Sequence, residues 1–345
     1  MIRLKDIAVR AGCSVMTVSK SLRDEPDVSA ATKVRIKKLA AEMGYVPDVF
    51  AQALRTRSSK MFGVIIPSTT NPIFSRTLHA LEERAHELGF EIVLAHSLGK
   101  PEREEACINR LIARRVQGMF INPVYRLQKD VRAYHELEKS GIATVILGHL
   151  APFCSQFANV EADDLQGSYK LTQHLLQLGH KRIAFFAGVV VSPAAQERFE
   201  GYRRALREVQ LEVDDKLVFQ AGNTIEDGEK AALQLVNEGS DATAIMADND
   251  LVAIGCADTL LNQGIKIPDD ISVAGFGNVL VSEYFRVPLT TVRQPKFRLG
   301  SSAMDAMQQI LRGEKPKSAR LAAEPILRAS TAAPPAKSRL AKSQG

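Results

Sequence analysis

Leu-Lys-Asp-Ile-Ala-Val-Arg-Ala-Gly-Cys-Ser-Val-Met-Thr-Val-Ser-Lys-Ser-Leu, residues 4–22, reads as two short helices joined by a tight turn. In the first helix Leu4, Ile7, Ala8 and Ala11 recur at helical spacing and form one apolar stripe. Gly12 stands where that helix must stop and the backbone needs a left-handed residue. Ser14 can cap the second helix, in which Val15, Val18 and Leu22 recur on one side. Ala8 is small where the helices must cross closely, and Val18 fills the gap between them. Together these features define a helix-turn-helix, an arrangement that lays its second helix in a DNA major groove. A helical hairpin in an unrelated core is the bland alternative, and it would not need Ala, Gly and Val all in register.

The next residues extend the unit. Ser29 caps a third helix, Ala30 to Met43, whose Val34, Ile36, Leu39, Ala40 and Met43 are available to cover the first two. Gly44 ends it, and Tyr45-Val46-Pro47 prevents continuation. Residues 1–60 hold twelve Lys or Arg against six Asp or Glu, and the tail from Pro334 adds Lys337, Arg339 and Lys342. Residues 61–333 carry 30 basic and 33 acidic groups, so the chain's net +6 arises at its two ends. That asymmetry favours a polyanionic partner for the N-terminal unit.

The run Ile7-Ala8, Ala11-Gly12, Ser14, Thr17-Val18-Ser19, Val28-Ser29, Thr32, Gly44-Tyr45 and Pro47 resembles the lactose-repressor (LacI/GalR) family. The resemblance continues to about Ser330. It runs through Gly63-Val64-Ile65-Ile66-Pro67, Asn71-Pro72-Ile73-Phe74, Leu178-Gly179-His180, Arg198 with Gly201-Tyr202, and Asn249-Asp250. Further on it takes in Pro268-Asp269-Asp270-Ile271-Ser272-Val273, Pro288-Leu289-Thr290-Thr291-Val292 and Gln294-Pro295.

From Met61 the chain alternates apolar strands with helices that end in Gly, the pattern of parallel sheets covered on both faces. Two such runs predict two lobes with a cleft between them. The fold class is therefore α/β, with a three-helix headpiece and a two-lobed parallel body. In the resembled family such lobes look like periplasmic sugar-binding proteins, and the chain would cross between them near 158, 289 and 320. The implied domains are a headpiece over 1–46, a hinge helix or linker over 47–57, a body over 58–330 and a disordered basic tail over 331–345.

At the DNA end, Val15, Met16 and Lys20 project away from packed Val18. The resemblance implies base reading from Val15 and Met16, with Lys20 one turn on. Apolar side chains can press on a thymine methyl but cannot make paired hydrogen bonds, so Lys20 is the better hydrogen-bonding candidate. Ser14 belongs to the same surface, and Thr17 and Ser19 carry short hydroxyls suited to phosphate contacts. The segment 48–55 resembles the family's hinge helix. There Leu54 would wedge into the minor groove and Ala51 would let two such helices meet. The chain departs from the family by having Asp48 where Asn is usual and Gln52 where Arg is frequent.

Candidate ligand groups lie where strands end and helices begin: Asn71, Phe74, Asn122, Arg198, Asn249, Asp250 and Asn278. The resemblance implies effector contacts at Asn122, Arg198, Asn249 and the position now Gly277. Gly277, and Gly148-His149 after the strand 145–147, stand where the family usually has Asp. Loss of two carboxylates beside Arg198 points to an anionic ligand such as a sugar acid, within the sugar-like class.

Other chemistries have little behind them. The four cysteines, 13, 107, 154 and 256, are far apart with no CxxC pair, which favours reduced thiols in a cytoplasm. No apolar signal segment or run of ~20 apolar residues stands out. His79, Glu83 and His86 share a helix face, but neighbouring charges make it an ordinary outer surface. No nucleotide-binding loop, nucleophile elbow or zinc-protease spacing occurs, so no catalytic residue, metal or cofactor is expected. The expected protein is thus a homodimeric transcription regulator, a repressor, on double-stranded operator DNA, gated by a sugar or sugar-acid effector. It would sit in the cytoplasm, on the nucleoid when DNA-bound, and would have no membrane partner. The competing reading is a sugar-binding module or sugar-acting enzyme with an accessory helical domain.

Overall fold

A computed structural model describes residues 2–46 and 59–336, which separate into an N-terminal unit and a body from Lys60 onward. In the first unit α1 (Leu4–Ala11), α2 (Val15–Leu22) and α3 (Ala30–Glu42) share a small core of Ile7, Ala8, Ala11, Val18, Ile36 and Ala40. Gly12 takes the left-handed conformation (φ 64°, ψ 35°) that the turn requires. Ser14 and Ser29 cap α2 and α3, each accepting a backbone N–H from three residues on. Val34 is a correction: at 69 % exposed it faces solvent, and Leu39 and Met43 complete the cover instead.

The body is two parallel sheets. In the first lobe β1 (Met61–Ile66), β2 (Glu91–His96), β3 (Gly118–Ile121), β4 (Ala143–Leu147), β5 (Ala158–Ala162) and β11 (Ala319–Leu321) are ordered β11-β5-β4-β3-β1-β2. Its helices are α4 (Ser75–Glu87), α5 (Pro101–Ala113), α6 (Arg132–Lys139) and α12 (Lys296–Leu311). The second lobe has β6 (Ile183–Ala187), β7 (Val218–Gln220), β8 (Ala244–Ala247) and β9 (Ser272–Ala274) in the order β7-β6-β8-β9. It carries α7 (Asp164–Gln177), α8 (Pro193–Glu208), α9 (Ile225–Asn237), α10 (Asp250–Asn262) and the short α11 (Leu280–Tyr284). An antiparallel pair, β10 (Thr291–Arg293) with β12 (Glu324–Ile326), completes the body.

Strand alternation explains why each sheet has a core on both faces. Phe62, Val64 and Ile66 of β1 enter one cluster while Ile65 enters the other with Ile121 and Ile146. In β6, Ala184 and Phe186 face α9 and α10 residues, and Ile183 and Phe185 face Leu171, Leu175 and Tyr202. Helices α7 and α8 approach so closely at Gly201 that a Cβ there would lie 2.4 Å from the Leu165 carbonyl oxygen.

The chain passes between the lobes after β5, after β10 and after β11. The expected disordered tail is also corrected. Thr331 hydrogen-bonds Thr290 and His174, while the Ala332 backbone accepts from His180 and donates to Ser272. Residues 331–336 therefore continue the second lobe, and 337–345 lie outside the described residues. Among the described residues no helix is long and apolar enough to cross a membrane, and the four cysteines are free thiols.

Candidate functional site

Helix α2 exposes one edge and buries the other. Val18 and Ser21 are fully buried, and Ser21 donates to the Thr17 carbonyl, whereas Val15 and Met16 are 44 % and 64 % exposed. The exposed pair gives a smooth apolar tip with no rigid donor. Lys20 is anchored beside it by an ion pair with exposed Asp27. Ser14 and Thr17 hydroxyls bond each other at 2.9 Å. Ser19 is half-buried on the same helix. Ala51 and Leu54 lie outside the described residues.

In the body, a cavity of about 400 Å³ opens between the lobes at the carboxyl ends of both sheets, within the range of small-molecule sites. Asn71, Phe74, Asn122, Arg198, Asn249 and Asp250 all line it. Asn278 does not, which corrects the sequence expectation. Its backbone is left-handed (φ 50°) and its Oδ1 accepts from Arg328 at 2.8 Å, turning the side chain away.

Several of the expected ligand groups already have partners. Asn249 caps α10, its Oδ1 accepting from the amides of Leu251 and Val252 at 2.9 and 3.0 Å. Asp250 is buried and accepts from Thr291 Oγ1 and the Val279 amide, so it shapes the 277–279 loop. Desolvation pushes its carboxyl above the usual range. Asn71 Oδ1 takes the Ile73 amide in a local turn, and Asn122 Nδ2 donates to the Leu147 carbonyl at 2.6 Å. Phe74 packs against the first-lobe core while showing an edge to the cavity. Lys296, at the start of α12, donates to the carbonyls of Gly277 and Asn278. Burial lowers its ammonium to about 8 despite Asp250 nearby.

Arg198 is the centre of the site, and its surroundings overturn a second expectation. Nε and Nη2 both lie 2.9 Å from Asp164 Oδ1, while Nη1 reaches the Asp248 carbonyl at 2.8 Å and its Oδ2 at 3.2 Å. Its guanidinium stacks over Phe276, 4.2 Å from the ring centre. Burial works against the Arg198 charge, but the two aspartates more than compensate and raise its pKa further. Arg198 therefore does not lack carboxylate partners: Asp164 and Asp248 replace those missing at 148 and 277. The inference toward a sugar acid loses its basis. Sequence reading missed both residues, although Asp163-Asp164 and Asp248-Asn249-Asp250 each stand at a strand end where a helix begins.

A second ionic group joins the lobes. Glu197, beside Arg198 on α8, accepts both Nη atoms of Arg320 on β11, at 2.9 and 2.7 Å. His149, in the loop after β4, places Nε2 3.1 Å from Glu197 and 3.7 Å from Asp164. Burial alone would raise the Glu197 carboxyl, yet His149 and Arg320 hold it at about 2. Burial likewise opposes protonation of His149, and the facing carboxylates overcome it to raise its pKa. His149, Asp164 and Glu197 have ligand atoms within 4.8 Å of one another, and each carboxylate already faces an arginine. The His79–Glu83 contact lies on an exposed helix face away from this site.

Comparison with known proteins agrees with this geometry. Residues 3–48 match the model for bacterial regulatory proteins of the lacI family, and residues 59–328 match periplasmic binding proteins and the sugar-binding domain of the LacI family. The chain belongs to the LacI family. Its relatives include the HTH-type transcriptional repressor CytR of Escherichia coli K12, 30% identical over 334 residues, 96% of this chain and 97% of the relative. Another is the repressor PurR of Vibrio atlanticus, 30% identical over 307 residues, covering 89% and 91%. A lac repressor dimer bound to operator and the anti-inducer ONPF superposes with a TM-score of 0.85 at 28% identity, over 96% of this chain and 99% of the other. This LacI-family chain is thus a DNA-binding transcriptional repressor with a sugar-binding-type body, and its relatives are regulators rather than enzymes.

Proposed function

We infer that this LacI-family repressor binds a near-palindromic operator as a homodimer and that a small molecule in the interlobe cleft changes its affinity for DNA. The observation that carries the reading is the union, in one chain, of a capped helix-turn-helix and a two-lobed body whose cleft is lined by apolar side chains and a few charged and amide groups. In this reading the headpiece spans 1–46, the hinge 47–57, and the body begins at 58. Val15, Met16 and Lys20 read base edges while Ser14, Thr17 and Ser19 meet phosphates. Ala51 and Leu54 meet the minor groove, where the leucine opens one base step. Asn71, Phe74, Asn122, Arg198, Asn249 and Asp250 form the effector wall. Of these, Phe74 and Asn122 offer direct contact, while Asn249 and Asp250 hold the loops in place.

The two-fold axis of a dimer would set the spacing of the half-sites. An effector acts only by binding one lobe arrangement better than another, with coupling of ~1–3 kcal/mol. The repressor works in the cytoplasm, on the nucleoid when bound to DNA. Selection of bound fragments from genomic DNA, followed by footprinting, tests the first half of this reading. The expected footprint is symmetric with two protected half-sites, and equal retention of all duplexes would overturn it.

A further inference from the structure

The balance of charge around the cleft points to the class of its ligand. Asp164 and Asp248 flank Arg198, and Glu161, Asp163 and Glu197 flank Arg320. Carboxylates outnumber arginines in each group, and a protonated His149 would not redress the total. The neighbouring Lys296 faces Asp250, and the two arginines that also act on it, Arg76 and Arg293, do not line the cavity. An added anion would meet a wall whose guanidinium groups are already committed.

One residue makes the demand specific. Asp248 is 5 % exposed and lines the cavity, its Oδ2 takes Arg198, and the uncharged Asn249 side chain is its other donor. A single guanidinium therefore serves two buried carboxylates, Asp164 and Asp248, and a buried charge without a full counter-charge is costly. Opposite it, Phe74, Leu147 and Leu299 offer an apolar face suited to the C–H side of a small ring. Resting on the reading of this cleft as the effector site, we propose that it takes a small polyhydroxylated amine, an amino sugar or aminopolyol, whose ammonium group sits against Asp248. Hydroxyls adjoining the amine meet Asn122 and the edge of Asp164 that faces His149.

The test is calorimetric titration of the full chain at pH 7 with two matched series: glucose, glucosamine, N-acetylglucosamine and glucuronate, and their galacto counterparts. In at least one series the amine binds on the order of tenfold more tightly than its neutral parent. The N-acetyl form, which keeps an N–H but loses the charge, forfeits that advantage. In Asp248→Asn the ratio of amine to parent falls toward one. If that variant fails to fold, the N-acetyl comparison on the unaltered chain decides. Tighter binding of the acid, equal binding of the parent, or no binding of either amine overturns the proposal. Operator retention by the same preparation is read separately, so loss of the ligand class leaves the regulator reading intact, and loss of operator binding sinks that reading alone.

Discussion

Replacing Arg198 with Ala would strand two buried carboxylates at once. The side chains of Arg198, Asp164 and Asp248 are only 11 %, 2 % and 7 % exposed, so water cannot take over the lost contacts. Removing one partner of a buried ion pair costs about 3–5 kcal/mol, because the remaining charge stays desolvated. Gln294, which donates to Asp164 Oδ1 at 3.2 Å, offsets a small part of this. The Phe276 face loses its cation as well. We expect Arg198→Ala to lower unfolding stability by about 3–5 kcal/mol at pH 7 in urea denaturation.

The pH dependence supplies a second signature. Without the guanidinium, the burial that already raises the Asp248 carboxyl goes unopposed, so its folded-state pKa lies further above the unfolded one and destabilises the fold wherever the group must ionise. That deficit is complete above the raised folded value and vanishes below the unfolded value of about 4. Arg198→Ala should therefore regain ground on the unaltered chain as pH falls from 7 to 5. Converting Arg198 to Met together with Asp164→Asn and Asp248→Asn should restore most of the loss, since no charge remains stranded. A deficit below about 1 kcal/mol that does not vary with pH would refute this reasoning.

Other outcomes follow from the same contacts. Glu197→Gln removes the anion that supports protonated His149. The unaltered chain's His-dependent stability, present below about pH 6.5 and lost as pH rises through the higher folded value, should shrink in the variant's melting curves, with Asp164 and Glu161 still acting on the imidazole. Gly201→Ala forces a methyl to within 2.4 Å of the Leu165 carbonyl oxygen and should cost about 1–3 kcal/mol in thermal melts of the body. Ser14→Ala removes the α2 cap and about 1 kcal/mol from a small headpiece. Its operator affinity, read by anisotropy, should fall while the body's melting is unchanged. Truncation after Ser330 leaves His180 and Ser272 without their Ala332 partners and should destabilise the second lobe by at least about 1–3 kcal/mol in a urea titration.

The parts of the fold set by local chemistry were legible in the sequence. Gly12, Ser14 and Ser29 each act within a turn or so of chain, and their roles as stop and caps follow from residue type alone. The strand–helix alternation from Met61 was equally plain. Long-range features were not. Helix α12 and strand β11 return from the far end of the chain to finish the first lobe, and nothing near residue 296 or 319 announces their partners. Val34 fits an apolar stripe by spacing yet is exposed, because the short α1 and α2 cannot cover that side of α3. At the cleft, Arg198 was found by resemblance, but its partners Asp164 and Asp248 stand 34 and 50 residues away. Only folding shows that the committed charges are theirs, and that Asn278 turns outward to Arg328.

The central claim is that the cleft and the DNA-reading helix share one equilibrium. Operator affinity should be measured by fluorescence anisotropy with the cleft empty and again at saturation with whichever ligand of the amine series binds. The expected change is roughly 5- to 150-fold, mirrored by the same factor in ligand affinity when operator is present. An operator affinity that stays the same at full ligand occupancy would contradict it.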